Sequence, residues 1–116
     1  MDFHNLSKSI MKLDTKIRLV TICDLDGKIK FSSYRPGVKN LLTPTQSKNA
    51  LDMAVKAWKA RIKLAPRIGH GKYVLAEYEK IKRITMPVGR NHLIYVTTEV
   101  GANHSKIISG IQKLTK

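Results

Sequence analysis

The chain has 116 residues, a length typical of one domain, and 42% of them are hydrophobic, which rules out a disordered composition. Its 22 lysines and arginines against 8 acidic residues give a formal charge of +14, which favours anionic partners. The single cysteine, Cys23, cannot form an intramolecular disulfide and lies in an apolar run typical of a buried residue in a reducing compartment. No apolar run approaches the ~20 residues that span a bilayer, and the first residues lack the apolar core of a signal peptide. We therefore expect a single cytoplasmic domain over residues 1–116, without membrane insertion.

The first predicted element is a short helix over residues 3–13, where apolar residues recur at helical spacing. A strand follows from Ile17, and its apolar residues occupy both alternating faces, which is typical of a central strand covered on both sides. The stretch D-L-D-G at residues 24–27 then indicates a tight hairpin turn, because glycine accepts a positive φ and aspartate binds the backbone that follows it. A calcium loop is disfavoured, because Arg35 stands where the distal glutamate would belong.

The longest predicted element is a helix from Pro44 to Ala65. Thr43 is its expected N-cap, proline takes the first helical position, and Gln46 completes a capping box. Pro66 predicts the end of the helix.

Three strand-like runs and a last helix form the second half of the chain. The run at residues 92–100 is apolar on both faces, so it is predicted to lie beside the first strand in the middle of the sheet. Pro87 indicates the end of the preceding strand or a bulge in it. The sequence therefore predicts an α+β fold of three layers, α/β/α, with a central five-stranded antiparallel sheet in the order 2-1-5-4-3. The predicted element order is helix-β-β-helix-β-β-β-helix.

This order and the stretch C-D-L-D-G-K-I-K-F-S-S at residues 23–33 resemble the roadblock/dynein-light-chain family, whose profilin-like fold is shared with longin domains. The resemblance covers nearly the whole chain and includes no catalytic signature. The segment Y-E-K-I-K-R-I-T-M-P-V-G at residues 78–89 is also similar to small archaeal proteins of this general type. The family resemblance implies a scaffold or regulator that binds an acidic partner, such as a small GTPase or a larger assembly.

The long helix is predicted to have two apolar faces. Leu51, Val55, Trp58 and Ile62 fall within about 60° of one another and are expected to pack on the sheet. A second face of mostly small residues points away from the first. Roadblock-like helices meet their mates across a homodimer axis, so this face is the candidate dimer contact. Its residues are Ala50, Met53, Ala57, Ala60 and Leu64. The alternative is that the alanines only raise helix propensity.

Basic residues form a third sector of the helix and continue into the segments that follow. They are candidate contacts for an acidic protein or for the phosphate backbone of nucleic acid, and the alternative is a solvated face. Aromatic residues are only 6% of the chain, which disfavours base stacking. The candidates are Lys48, Lys56, Lys59, Arg61, Lys63, Arg67, Lys82 and Arg83. Asp52 stands four residues before Lys56, a spacing that permits a weak ion pair.

The remaining motifs do not indicate catalysis. G-H-G-K at residues 69–72 follows a helix and precedes a strand, so it is interpreted as a connector with two positive-φ glycines rather than a phosphate loop. A modest anion nest with Arg67, His70 and Lys72 is the alternative. The four histidines lack metal-ligand spacing, and no activated nucleophile is evident. We expect no enzyme activity, cofactor or metal.

Overall fold

The computed structural model describes residues 2–116 and contains the predicted elements together with one additional short helix. In chain order the elements are α1 Phe3–Met11, β1 Ile17–Asp24, β2 Ile29–Tyr34, α2 Pro44–Ile62, α3 Ala65–Ile68, β3 Val74–Glu77, β4 Ile81–Val88, β5 His92–Glu99 and α4 His104–Leu114. Within residues 2–116, none of the helices combines the length and apolarity that crossing a membrane requires.

The strands form one antiparallel sheet in the order β2-β1-β5-β4-β3, which confirms the predicted topology. Ile22 shows why β1 is central, since it pairs with Phe31 of β2 on one side and with Ile94 of β5 on the other. Pro87 lies one residue before the end of β4 and pairs with Leu93. It therefore marks the end of that strand, as predicted, because it is beyond the part of β4 that pairs with β3.

The turn between β1 and β2 is the predicted aspartate-glycine hairpin. Gly27 has a φ of 82°, a conformation that side chains strongly disfavour. The Asp24 carboxylate accepts hydrogen bonds from the backbone N–H groups of Asp26 and Lys28, both at 2.9 Å. The bond from Lys28 is the main reason why the pKa of the Asp24 carboxyl lies below its usual range. This carboxylate therefore has a structural role in the turn.

One face of the sheet is covered by α1 and α4. Isoleucines dominate this core, and several are completely buried, including Ile10 of α1, Ile22, Ile94, and Ile107 and Ile111 of α4. The β-branched side chains suit the pleated surface of the strands. The α1 and α4 side is thus a continuous, closed core.

Arg35 ties α1 to the sheet. Its guanidinium donates hydrogen bonds to the carbonyl oxygens of Met11 and Asp14, at 2.7 and 2.8 Å, and its Nε donates to that of Ile17 at 2.7 Å. The C-terminal end of a helix leaves carbonyl groups without intrahelical partners. Arg35 supplies a partner for the last carbonyl of α1 and fixes its approach to β1.

The helix α2 covers the other face of the sheet. Its capping box is confirmed: Thr43 Oγ1 accepts from the Gln46 backbone, and the Gln46 side chain accepts from the Thr43 backbone. Leu51, Val55 and Trp58 are buried against the sheet, as predicted.

The predicted C-terminal end of α2 was wrong by a few residues. The helix ends at Ile62 rather than Ala65, and α3 begins at Ala65 with Pro66 in its first turn. Proline is tolerated there because its missing N–H would have no partner in any case. Ile62, predicted to pack on the sheet, is 42% exposed because it occupies the last turn of α2.

Candidate interaction surface

The second apolar face of α2 is open to solvent. Met53 is 70% exposed and Leu64, two residues beyond the helix end, is 52% exposed. Ala57 and Ala60 are exposed, while Ala50 is half-buried. A helix that packs on a sheet needs only one apolar face, so the core of this chain does not account for the second one.

Part of this face forms one wall of a groove of about 880 Å³. Ala50, Met53 and Ala57 line it from α2, and Val74 and Ala76 line it from β3. Leu41 and Leu42, which are also exposed, lie at the groove from the segment before α2. Ala60 and Leu64 lie outside it. The structure thus separates the predicted contact residues into three that line the groove and two that do not.

The groove runs to a free edge of the sheet. β3 is the last strand in the sheet order, and it pairs with β4 alone among residues 2–116. Its outer edge presents backbone N–H and C=O groups that another strand could pair with. An exposed apolar helix face and an open strand edge therefore occur on one side of the molecule.

The basic residues predicted as anion contacts do not form one surface. Lys56 and Lys59 are exposed on the sector of α2 beside the apolar face, and Lys63 is exposed at the C-cap of the helix. Lys48 makes an ion pair with Asp52 at 2.8 Å, which replaces the Asp52–Lys56 pair that the spacing had permitted. Arg61 and Arg67 are exposed at the end of α2 and on α3, so their positions allow an anion contact.

Lys82 does not belong to that surface. It shares a strand face with Ile84 and Met86, under α4 and opposite to α2, and it is 7% exposed. Its Nζ donates to the carbonyl oxygen of Ala102 at 3.1 Å and to Nδ1 of His104 at 2.9 Å. The prediction that Lys82 lies on the same basic surface is therefore wrong, because strand alternation turns this side chain to the other side of the sheet.

Arg83 points to the α2 side of the sheet, where it lies between two tyrosines. Its guanidinium carbon is 5.2 Å from the ring centre of Tyr78 and 5.3 Å from that of Tyr95, distances typical of cation–π contacts. Burial raises the pKa of the Tyr95 phenol, and the nearby Arg83 charge opposes that rise. Arg83 Nη1 donates to the Tyr78 hydroxyl at 3.3 Å, whereas its buried Nε has no hydrogen-bond partner among residues 2–116.

A smaller cavity of about 220 Å³ lies between the N-terminal half of α2 and the sheet. Arg83 and Ile81 border both this cavity and the groove. The side of the sheet under α2 therefore contains unfilled space on both sides of the Arg83 side chain.

The other candidate motifs have structural explanations. Gly69 has a φ of 89°, as predicted. Gly71 was also predicted to have a positive φ, and that prediction was wrong. A side chain at Gly71 would approach Trp58 Cη2 to 3.3 Å, so close packing explains this glycine. Cys23 is fully buried, and its burial raises the pKa of the thiol to about 11.

No metal site is assembled in the part of the chain that the structure describes, since no three His, Cys, Asp or Glu side chains cluster there. Three of the four histidines instead make separate contacts. His4 packs against Phe31, His92 packs against Phe3, and His104 accepts from Lys82.

Sequence reasoning missed the contribution of the segment before α2. Leu41 and Leu42 lie in the loop between β2 and α2, and both line the groove beside Met53. Two adjacent leucines in a loop are a usable signal, because a solvated loop does not require them. The role of Tyr78 beside Arg83 was also missed, since it depends on a contact between residues on different segments of the sheet edge.

Comparison with known proteins supports the fold. No family model and no curated protein matches the chain. Among solved structures, the gliding protein MglB from Thermus thermophilus superposes with a TM-score of 0.79 at 11% identity, over 97% of this chain and 82% of MglB. A Roadblock/LC7 domain from Streptomyces avermitilis gives 0.76 at 14% identity, over 99% of this chain and 92% of that domain.

A more distant similarity extends to profilin. The profilin of Schizosaccharomyces pombe superposes with a TM-score of 0.59 at 10% identity, over 87% of this chain and 83% of profilin. The similarities span nearly the whole chain and agree with the β2-β1-β5-β4-β3 sheet and its helices on both faces. The chain therefore has a roadblock-like domain structure of the profilin-like fold.

Proposed function

We propose that the chain is a cytoplasmic, non-enzymatic scaffold or regulatory module that acts as a homodimer. The observation that carries this proposal is the exposed second apolar face of α2, which continues into the groove beside β3. Monomeric proteins rarely leave a large continuous apolar patch in water without a binding role.

A second copy of the chain is the occupant that the surface suits best. In a two-fold contact the same patch serves both partners, and the small side chains of Ala50, Ala57 and Ala60 allow two helices to approach closely. Met53 can adapt its shape to its mate because its side chain is unbranched. The exposed lysines lie beside the apolar face rather than on it, so they do not place like charges at the centre of the contact.

The free edge of β3 is compatible with the same contact. Antiparallel pairing of β3 with its counterpart would obey the same two-fold symmetry and would satisfy its outer backbone groups. This pairing would close the groove at the side that α2 does not cover.

The proposed partner of the dimer is an acidic protein. The support is the charge of +14 together with the exposed Lys56, Lys59 and Lys63 beside the apolar face. Complementary charge speeds the association of proteins and selects among partners. A small GTPase or a larger assembly is the partner class that the roadblock resemblance implies.

Nucleic acid is the second candidate partner, and the same exposed lysines favour it. The burial of Lys82 and the stacking of Arg83 reduce the number of cations available for phosphate contacts. The remaining candidates are Lys56, Lys59, Arg61, Lys63 and Arg67, since Lys48 is paired with Asp52.

Sedimentation of Met53→Glu tests the dimer. We expect the unmodified protein to sediment at twice the mass of one chain and the variant at the mass of one chain, because the new charge would have to be buried between helices. Ile68→Glu is the matched control, since Ile68 is 78% exposed on α3 and lies outside the groove. A single-chain mass for the unmodified protein across the accessible concentration range would refute the dimer.

A gel-shift titration at low and high salt separates the two partner classes. Phosphate binding should weaken steeply with salt, whereas the apolar dimer should tolerate it. If the low-salt protein shifts neither duplex nor single-stranded probes, nucleic acid is excluded. If it does shift them, the triple alanine variant of Lys56, Lys59 and Lys63 should lose most of that binding.

A further inference from the structure

The cavity between the N-terminal half of α2 and the sheet has the features of a small-molecule site. It measures about 220 Å³, which is room for about seven water-sized groups at about 30 Å³ each. This volume is below the range of drug-sized pockets. A ligand that fits it is therefore small.

The lining of the cavity is apolar with a few polar groups. Leu19 and Tyr95 contribute to it from the sheet and Leu51 from α2. Thr21 and Ser32 also line it, but their hydroxyls bond to each other at 2.9 Å. A concave, mostly apolar lining with a small number of oriented polar groups is the usual composition of a ligand site.

Two of the cations around the cavity have a carboxylate partner, and a third does not. Arg18 pairs with Glu99 at 2.8 Å, and Lys48 pairs with Asp52 at 2.8 Å. Arg83 has no carboxylate partner among residues 2–116, and its buried Nε donates to no acceptor there. Arg83 is therefore a cation at the cavity wall whose charge no carboxylate of the described residues balances.

We propose that this cavity binds a small molecule that carries one carboxylate on an apolar body, with Arg83 as the group that holds the carboxylate. A guanidinium recognises a carboxylate through charge-assisted hydrogen bonds, and the two tyrosines keep its plane fixed. The apolar walls favour a singly charged ligand over phosphate, because a more strongly hydrated anion would lose more solvation on entry.

The proposal can be tested apart from the dimer, although the cavity shares Arg83 and Ile81 with the groove. The apolar dimer face of α2 does not line this cavity, and Ser47 and Leu51, which do, are on another side of the helix. Ligand binding is therefore expected to persist in the Met53→Glu variant, so the failure of either proposal leaves the other standing.

Calorimetric titration with hexanoate and benzoate tests the site. We expect at least one of them to bind with a Kd of about 0.1–1 mM, a value in keeping with the affinity of a ligand this small. Acetate, which lacks the apolar body, and hexan-1-ol, which lacks the charge, should each bind at least about tenfold more weakly. If neither acid binds, or if acetate binds as tightly as hexanoate, the proposal is wrong.

Three variants locate the bound acid. Arg83→Met should weaken its binding roughly 10- to 100-fold by removing the charged donor. Arg61→Met, which removes a cation outside this cavity, should change it by less than about twofold. Ser47→Leu should block binding by filling the cavity while Arg83 stays in place, and it decides the question if Arg83→Met does not fold. Equal losses in the two arginine variants, or normal binding to Ser47→Leu, would overturn the proposal.

Discussion

Beneath α1 and α4, isoleucines of the sheet and of both helices form a fully buried core, whereas Trp58 of α2, Tyr95 of β5, a stacked arginine and a cavity lie between α2 and the sheet. Both sides use the same strands, and strand alternation alone decides which residues go where. The core of the first side is filled with buried aliphatic side chains, and the surface pocket of about 580 Å³ on that side lies at its rim between α1 and β2. The second keeps unfilled space and exposes apolar groups on α2.

This difference separates the residues that hold the fold together from those available for binding. The large aliphatic side chains at the centre of the closed side are fully buried and out of a partner's reach. The α2 side contains the groove, the cavity and Arg83. A protein that binds partners through one side can tolerate looser packing there if the other side supplies the stability.

The largest expected effect comes from truncating a core residue on each side. Ile107→Ala, on the closed side, should lower the free energy of unfolding by about 4 kcal/mol, and Leu51→Ala by about 2 kcal/mol. Ile107 is fully buried, while Leu51 borders the cavity and has fewer packed atoms to lose. Urea unfolding of both variants measures the difference. Equal losses of unfolding free energy in the two variants would show that the two sides of the sheet are equally well packed.

Arg35→Met should cost about 2–3 kcal/mol of unfolding free energy, because it removes all three hydrogen bonds to the carbonyls of Met11, Asp14 and Ile17. The loss belongs to the closed side, where α1 meets β1. Arg90→Met is the control, since Arg90 is exposed in the turn before β5 and should change stability by less than about 0.5 kcal/mol. Similar losses in the two variants would show that Arg35 does not anchor α1.

Thr43→Ala should destabilise the start of α2 by about 1 kcal/mol, because it removes half of the capping box. Hydrogen exchange should accelerate in the first turn of α2 and stay unchanged in α1. Thr45→Ala, one helical position after Pro44, leaves the box intact and should have little effect. Faster exchange throughout the molecule would argue that α2 does not open independently of the closed side.

The smallest effect concerns pH and the hairpin. The pKa of Asp24 is lowered in the folded chain, chiefly by the Lys28 backbone N–H. The resulting stabilisation is complete above the unfolded pKa of about 3.9 and is lost as the pH falls through the lower folded pKa. The Asp24→Asn variant should therefore lose less unfolding free energy than the unmodified protein as the pH falls from 5 through the folded pKa of Asp24. Identical acid unfolding curves for the two proteins would contradict this role of Asp24.

Much of the fold could be predicted because local signals agreed with one another. The apolar residues on both faces of the strands at Ile17 and His92 predicted which strands are central, and the turns fixed their neighbours. The capping box at Thr43 located the start of α2. Its end was less predictable, because Pro66 is compatible with the first turn of another helix as well as with a helix stop.

The candidate surface could be predicted only in part. Helical spacing identified the face that contains Met53 and Ala57, but it could not show that Ala60 lies outside the groove. Lys82 could have been placed from sequence, since it shares its strand parity with Ile84 and Met86. The unpaired Nε of Arg83 could not have been predicted from sequence, because its lack of a partner depends on which groups from separate strands surround it.

The central claim is that the second apolar face of α2 meets its counterpart in a second copy of the chain, and cysteine cross-linking tests this most directly. Cys23 is buried with a thiol pKa of about 11 and should not react at neutral pH, so a cysteine introduced on α2 is the reactive one. We predict that a short bis-maleimide links Ala57→Cys chains efficiently into dimers and leaves Lys59→Cys chains, altered in the lysine sector outside the apolar face, largely unlinked. Efficient linking of Lys59→Cys, or none in Ala57→Cys, would contradict the account.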